Sequence, residues 1–223
     1  MTKRKPLAEP APLPRLRANL PKQARSRLTV HRLLSAAEAL LTHGGLDAAT
    51  VPAIASAAGV SVGVVYRRFP DKDNLLRAVY DRFVERSREQ NFANMQKIGF
   101  FDLPLRERAR AVIKGMVEGY RTHRSLLRAL HRYVRTHPDP TFRRSVRKAN
   151  RVTLNGLAAL FLVHRDQIQH PNPEAAIEFG LLAVGAVLNT VVLEEESLAD
   201  FRTPEHLDVE LTRLFLSYLD VRA

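Results

Sequence analysis

The sequence predicts an all-α protein of about nine helices. A three-helix domain carrying a helix-turn-helix precedes a larger helical domain. Three observations predict it. Apolar residues recur at i, i+3, i+4 and i+7 in segment after segment, the stripe of helices that bury one face. Pro and Gly together make only 23 of 223 residues, and no long Val- or Thr-rich alternating run suggests strands. Hydrophobic residues are 45% of the chain, ample for a core.

Composition narrows the function. There is no cysteine, which rules out disulfides and thiolate metal sites and fits a reducing compartment. No uninterrupted apolar segment of the signal-peptide kind opens the chain, so a cytoplasmic protein is expected. A net charge of +12 points to an anionic partner such as nucleic acid or an acidic ligand. That charge is uneven: residues 1–80 carry net +8, residues 106–151 net +11 and residues 165–223 net −7. A basic front and an acidic back suggest different partners for the two ends.

Residues 1–25 set Pro6, Pro10, Pro12, Pro14 and Pro21 among Lys3, Arg4, Lys5, Arg15, Arg17 and Lys22. Proline at this density opposes helix, so a disordered basic arm is expected. It is either a solubilising tail or an arm that lies along a DNA backbone or enters a minor groove.

The first helix is capped by Ser26 or Thr29 and buries Val30, Leu33, Leu34, Ala37, Leu40 and Leu41. Gly44 and Gly45 stop it. Thr50 starts a second helix, with Pro52 in its first turn and Ile54, Ala55 and Ala58 inward. The Thr50 hydroxyl is left with the Ala53 amide, or is free for a phosphate.

Gly59 can take the left-handed conformation that turns the chain. Ser61 then caps a helix of barely two turns, to about Arg68. So short a helix is marginal alone, and Val65 and Phe69, one turn apart, are expected to fix it to the first two helices. Ser61, Val62, Gly63, Tyr66 and Arg67 then look outward. Helix, glycine turn and short helix form the helix-turn-helix, whose second helix enters a DNA major groove.

A fourth helix starts near Lys72, runs to about Lys97 along Leu75, Leu76, Val79, Tyr80, Phe83 and Val84, and breaks at Gly99, Asp102 and Pro104. The expected domains are residues 26–71, for DNA, and 72–223. Residues 105–136 read as two helices meeting near Thr122-His123-Arg124. Pro138 and Pro140 interrupt, and a seventh helix is expected over about Thr141–Ile168, with Val146, Leu154, Leu157, Leu160 and Phe161 apolar.

The eighth helix, about Glu174–Glu194, contains an uncharged run from Phe179 to Leu188. These 10 residues fall short of the ~20 that a membrane span needs, so a helix buried on nearly every side is expected. Ala176, Gly180, Ala183 and Val187 give it a small-residue face. The last helix, about Glu205–Leu219, follows Thr203-Pro204. Leu207, Leu211, Leu214 and Tyr218 form its stripe, widened by Phe215 and Leu219. Two adjacent apolar helices need a partner surface, either another copy or each other.

The run Leu33-Leu34-x-Ala36-Ala37, Gly44, Thr50, Ile54-Ala55-x-x-Ala58-Gly59-Val60-Ser61-x-Gly63-x-x-Tyr66-x-x-Phe69-x-x-Lys72-x-x-Leu75-Leu76 resembles the TetR family of bacterial transcriptional regulators. The resemblance covers residues 28–80 and implies three DNA-binding helices followed by a ligand-binding, dimerising helical domain. It implies DNA contacts from Thr50, Ser61, Val62, Gly63, Val64, Tyr66, Arg67 and Lys72. Val30 stands where the family commonly has Arg, which passes that phosphate contact to Arg27 or Arg32. Val62 and Val64 replace residues that are often polar, which favours contact with a thymine methyl.

Chemistry agrees with several of these roles. Helix starts at Thr50 and Ser61 suit a phosphate, and the Arg67 fork matches guanine O6 and N7. Lys72 at a helix start is disfavoured by the helix dipole and better explained by an external anion. The resemblance also implies a dimer through the last two helices, here Ala176, Gly180, Ala183, Val187, Leu207, Leu211, Leu214 and Tyr218. A twofold dimer would place two reading helices one turn of DNA apart.

No catalytic signature is present: no Gly-rich phosphate loop, no Gly-x-Ser-x-Gly and no His-Glu-x-x-His. His123, His131 and His137 lack metal-ligand spacing, so neither metal nor cofactor is expected. A small-molecule pocket is implied by the resemblance, with Met116, Tyr120, His123, Tyr133, Asn155, Phe161 and Phe179 as candidates. Arginines of 106–151 either form a solvated face or turn inward, among Arg121, Arg124 and Arg128, to meet an acidic ligand. The expected protein is a homodimeric, ligand-responsive regulator of an operator in double-stranded DNA, most often a repressor. A nonspecific DNA-coating protein and a helical enzyme are the alternatives.

Overall fold

The computed structural model describes residues 22–193 and 206–221. Among them are nine α-helices, two 3₁₀ turns (Phe100–Asp102 and Arg165–Gln167) and a π-helical turn (Asn189–Leu193). The proposed basic arm as far as residue 21, and the Thr203-Pro204 cap, lie outside the described residues. Lys22–Arg25 already belong to the first helix, so Ser26 and Thr29 do not open it. The Thr29 hydroxyl instead donates back to the Arg25 carbonyl, at 2.9 Å.

Two apolar cores organise the chain. The first gathers α1 (Lys22–Ala48), α2 (Val51–Ala57), α3 (Val62–Tyr66) and the first half of α4 (Lys72–Lys97). It does not stop at residue 71. Leu126, Ala129, Leu130 and Tyr133 of α6 (Arg124–Thr136), and Phe142 and Val146 of α7 (Pro140–Leu162), are buried in the same cluster. The amphipathic α6 thus lies on α1 and covers the scaffold of the reading helix. The second core joins α5 (Leu105–Thr122), the rest of α7, α8 (Pro173–Leu188) and α9 (Leu207–Tyr218) around Ile113, Phe161, Ile177, Leu181 and Phe215. Each such side chain contributes about 1.5–3 kcal/mol by leaving water.

Glycines end two helices as local chemistry requires. Gly45 breaks α1 with φ 65° and ψ −160°. Gly99, at φ 61°, ends α4 beyond Lys97. The middle of α4 is another matter: between Phe83 and Phe100 no residue is buried, and only Val84, Ser87 and Met95 are half-buried. The helix is gripped by a core at each end and stands in solvent between them.

α7 ends at Leu162, short of the expected Ile168. The chain turns at His164 so that Ile168 can be buried in the second core and pair with Val221 in a single antiparallel bridge. That long-range burial outweighs continued helix. α8 also differs. By length and composition Pro173–Val191 could cross a membrane. In the fold one face, Ala176, Ile177, Gly180, Leu181, Val184 and Leu188, enters the second core. Phe179 and Leu182 are more than half exposed, so this helix is not buried all round.

Candidate nucleic-acid interface and effector groove

The reading helix is built from local chemistry outward. Thr50 caps α2, its hydroxyl accepting from the Ala53 amide at 3.3 Å. The chain leaves α2 through Gly59 at φ 61°, with Gly59 N–H bonded to the Ser56 carbonyl and Val60 N–H to that of Ala55. A Cβ on Gly59 would lie 2.7 Å from Nη2 of Arg32, so the bare glycine also makes room for this guanidinium. Ser61 caps α3 by position, but its hydroxyl makes no capping bond and faces solvent.

Val65 is 1% exposed and Phe69 9%, both within the first core. They hold the five-residue α3 in place. Ser61, Val62, Gly63, Tyr66 and Arg67 are exposed, with Tyr66 at 52%, while Val64 is half-buried. Arg27 is exposed on the first turns of α1. Lys72 has an internal partner that local reasoning missed: Nζ donates to the Leu46 carbonyl at 3.3 Å, just past the Gly45 kink. The cap of α4 itself is Asp71, which accepts from the Asn74 amide at 2.7 Å.

Two polar clusters tie α4 to its neighbours. On one side Glu38 of α1 accepts from Arg82 at 2.6 Å and Arg86 at 2.5 Å. Arg82 also donates to the His31 carbonyl and the Ser35 hydroxyl. Burial pushes the Glu38 carboxyl up, but the bonds and charges of Arg86 and Arg82 outweigh it and hold the pKa below the usual value.

On the other side Asp73 accepts from Tyr133 Oη and from Arg77 Nε at 2.7 Å, and lies 2.6 Å from His137 Nε2. The Asp139 amide donates to His137 Nδ1 at 3.1 Å, which assigns the His137 proton to Nε2 and directs it to Asp73. Arg77 reaches on to Asp139 at 3.1 Å and stacks 4.3 Å over the Phe142 ring. Burial raises the Asp73 carboxyl; hydrogen bonds from Tyr133, His137 and Arg77 overcome it and lower the pKa. Burial and the Asp73 carboxylate push the Tyr133 phenol far up.

The predicted pocket residues divide. Met116, Tyr120 and Phe179 line a groove of about 830 Å³ between α5, α7 and α8, with Arg147, Asn150, Arg151, Leu154, Leu157, Leu182 and Asn189. Four others do not belong there. Tyr133 is committed to Asp73, and His123 packs edge-on against Phe83 at 5.4 Å. Phe161 is fully buried against Phe215, and Asn155 is exposed to solvent.

The predicted dimer residues divide too. Ala176, Gly180, Leu207 and Leu211 are buried within the chain, and Phe215 fills the space over Gly180. Ala183 and Val187 are half-buried. Leu214 and Tyr218 are exposed, with Phe179 and Leu182, and the Phe179 and Tyr218 rings stand 5.3 Å apart. The outward apolar face is therefore centred on those four.

Sequence reading also missed Arg108, which is 4% exposed. It donates to the carbonyls of Leu160, Phe101 and Leu103. One signal was available: it sits between Leu105 and Val112, on the apolar stripe of α5. Asp139 before Pro140 was a readable helix cap, but nothing local tied Asp73 to His137.

An exposed five-residue helix, braced by a buried valine and phenylalanine and followed by a larger set of helices, defines a helix-turn-helix DNA-binding regulator. Comparison with known proteins agrees. Residues 33–79 match the model for bacterial regulatory proteins of the tetR family, and residues 104–219 match a tetracyclin repressor-like C-terminal domain. The chain belongs to the TetR family, whose members are non-enzymatic transcription factors.

Similar solved structures include a transcriptional regulator from Rhodococcus sp. (20% identity, TM-score 0.64, 86% of this chain and 96% of that one). A TetR regulator from Haloarcula marismortui is 15% identical, with TM-score 0.66 and coverage of 86% and 96%. The fatty acid degradation regulator FadR from Bacillus halodurans is 16% identical, with TM-score 0.64 and coverage of 86% and 94%. Identities this low carry the fold and nothing of those proteins' ligands. No curated protein matches the chain.

Proposed function

We propose that this regulator acts as a homodimer on a palindromic operator and is released from it by a small molecule, which makes it a repressor. The observation that carries the DNA reading is α3, whose Ser61, Val62, Tyr66 and Arg67 project into solvent from a buried Val65–Phe69 anchor. Arg67 reads a guanine, Val62 meets a thymine methyl, and Thr50, Ser61, Tyr66, Lys72 and Arg27 serve the phosphates, with Gly63 admitting close approach.

The dimer reading is supported by the exposed apolar residues Phe179, Leu182, Leu214 and Tyr218, with the Phe179 and Tyr218 rings 5.3 Å apart; Phe179 and Leu182 also line the groove beside them. The effector reading is supported by the groove between α5, α7 and α8. It meets a second cavity of about 510 Å³ at Met116, Thr153 and Leu157, and that cavity reaches Asn94, Met95 and Ile98 at the end of α4. A ligand there changes the seat of the helix that carries the reading domain.

Footprinting on the DNA upstream of the protein's own gene tests this. Two protected half-sites related by a dyad, one helical turn apart, are expected. Equal affinity for every duplex, abolished by modest salt, would instead assign a nonspecific DNA-coating protein.

A further inference from the structure

We propose that the groove between α5, α7 and α8 binds a single-chain amphiphile with one negative head group; this rests on the effector reading above and gives it a chemical class. The groove is polar at one end and apolar at the other. Arg147, Arg151, Leu154 and Leu157 follow one face of α7, charged first and apolar two turns on, over about 15 Å of helix. In the same groove, burial raises the Tyr120 phenol and a hydrogen bond with Asn189 opposes the rise. Asn189 also donates to the Gly185 carbonyl at 2.9 Å and begins the π-helical turn, a distortion often found at functional sites.

The cations are not equivalent. Arg151 is paired with Glu178 at 3.5 Å. Arg147 has no ion-pair or hydrogen-bond partner among the described residues, so among them the charged end carries one unmatched positive charge. A monoanion balances it, and a cation is repelled. From Arg147 an apolar chain runs past Leu154 to Met116 and Leu157. There it enters the second cavity, walled by Met95, Ile98, Phe100 and Val112. Head recognition thus lies on α7 and the tail ends under α4.

Titration calorimetry on the full chain decides it, with octanoate, decanoate, decyl phosphate, decanol and decyltrimethylammonium. One decanoate per chain is expected, tightening about fourfold per added methylene. Carboxylate and phosphate heads are both expected to bind, and their ratio identifies the head group. Decyltrimethylammonium should not bind. Arg147→Gln, a surface change that keeps the unliganded melting temperature, should weaken decanoate at least tenfold and leave decanol unaffected.

Equal binding of the cationic amphiphile, or undiminished decanoate binding by Arg147→Gln, overturns the proposal. So does decanoate binding that weakens as protein concentration rises, since a second copy would then occupy the groove. The effector reading is scored separately, by adding decanoate to the footprinted complex. Decanoate that binds as expected without releasing DNA keeps the ligand class and sinks the release mechanism. DNA that binds while no anionic amphiphile does sinks the ligand class and leaves the DNA reading standing.

Discussion

His137 Nε2 lies 2.6 Å from Asp73 Oδ1, across 64 positions of sequence, and joins the first turn of α4 to the end of α6. The same carboxylate receives Tyr133 and Arg77, so one side chain fixes three neighbours. Tyr133→Phe removes only the hydroxyl from this cluster. A loss of about 1.5 kcal/mol in equilibrium unfolding is expected, at the low end for a charged acceptor because Asp73 is partly exposed. Unchanged stability would reduce Tyr133 to a packing residue.

Asp73 and Glu38 both have folded pKa values below their ordinary ones. Such groups contribute stability that is complete above the unfolded-state pKa, about 4, and lost as pH falls through the lower folded value. Glu38→Gln and Asp73→Asn should therefore be destabilising at pH 7 and nearly matched to the parent at low pH. Urea unfolding at pH 7 and pH 3 measures the difference; a constant gap would show that the charges are not its source.

Gly180→Ala should cost about 1–3 kcal/mol, because its Cβ would come within 2.7 and 2.8 Å of two ring atoms of the fully buried Phe215. Helix propensity returns only about 1 kcal/mol of this. Gly185→Ala is the control on the same helix: nothing lies within 4 Å of its Cβ, and thermal unfolding should show a gain.

On DNA the two basic side chains should behave differently. Arg67→Ala is expected to cost about 1–3 kcal/mol at one base step and relax preference there. Lys72→Ala should lower the salt slope by about one. It should also lower the melting temperature, since it strips the Leu46 carbonyl of its donor. Lost stability with an unaltered slope would confine Lys72 to that internal bond.

Charge on the outer face of α9 should part the proposed dimer without unfolding the chain. Leu214→Glu meets solvent in the monomer, whereas Leu211→Glu would bury a carboxylate in the second core. Sedimentation should show the first as a folded monomer and circular dichroism the second as unfolded. A Leu214→Glu dimer as tight as the parent would move the interface elsewhere.

The reading domain was legible because its determinants are local. Thr50, Gly59 and Ser61 act within a few residues of themselves, and Val65 and Phe69 repeat at one-turn spacing. α8 was not legible in the same way. A helix apolar all round has no polar side to orient it, so sequence could not show that Gly180 faces Phe215 while Phe179 faces out. The end of α7 was set by Val221, and the fate of Tyr133 by Asp73, pairings that no window along the chain contains.

The solvated middle of α4 has a mechanical consequence. Phe83 is held in one core and Met95 touches the other, with about 18 Å of helix between them. Apart from the Arg86–Glu38 ion pair and the Phe92–Phe101 ring contact, only intrahelical hydrogen bonds keep that span straight. It is then a moment arm: a tilt of about 5° at Met95 displaces the far end by about 1.6 Å. Side chains along the span can change without altering the gear ratio, which depends on helix length alone. An inserted or deleted residue there would rotate one clamp against the other by about 100°, which makes length, not composition, the property this stretch must keep.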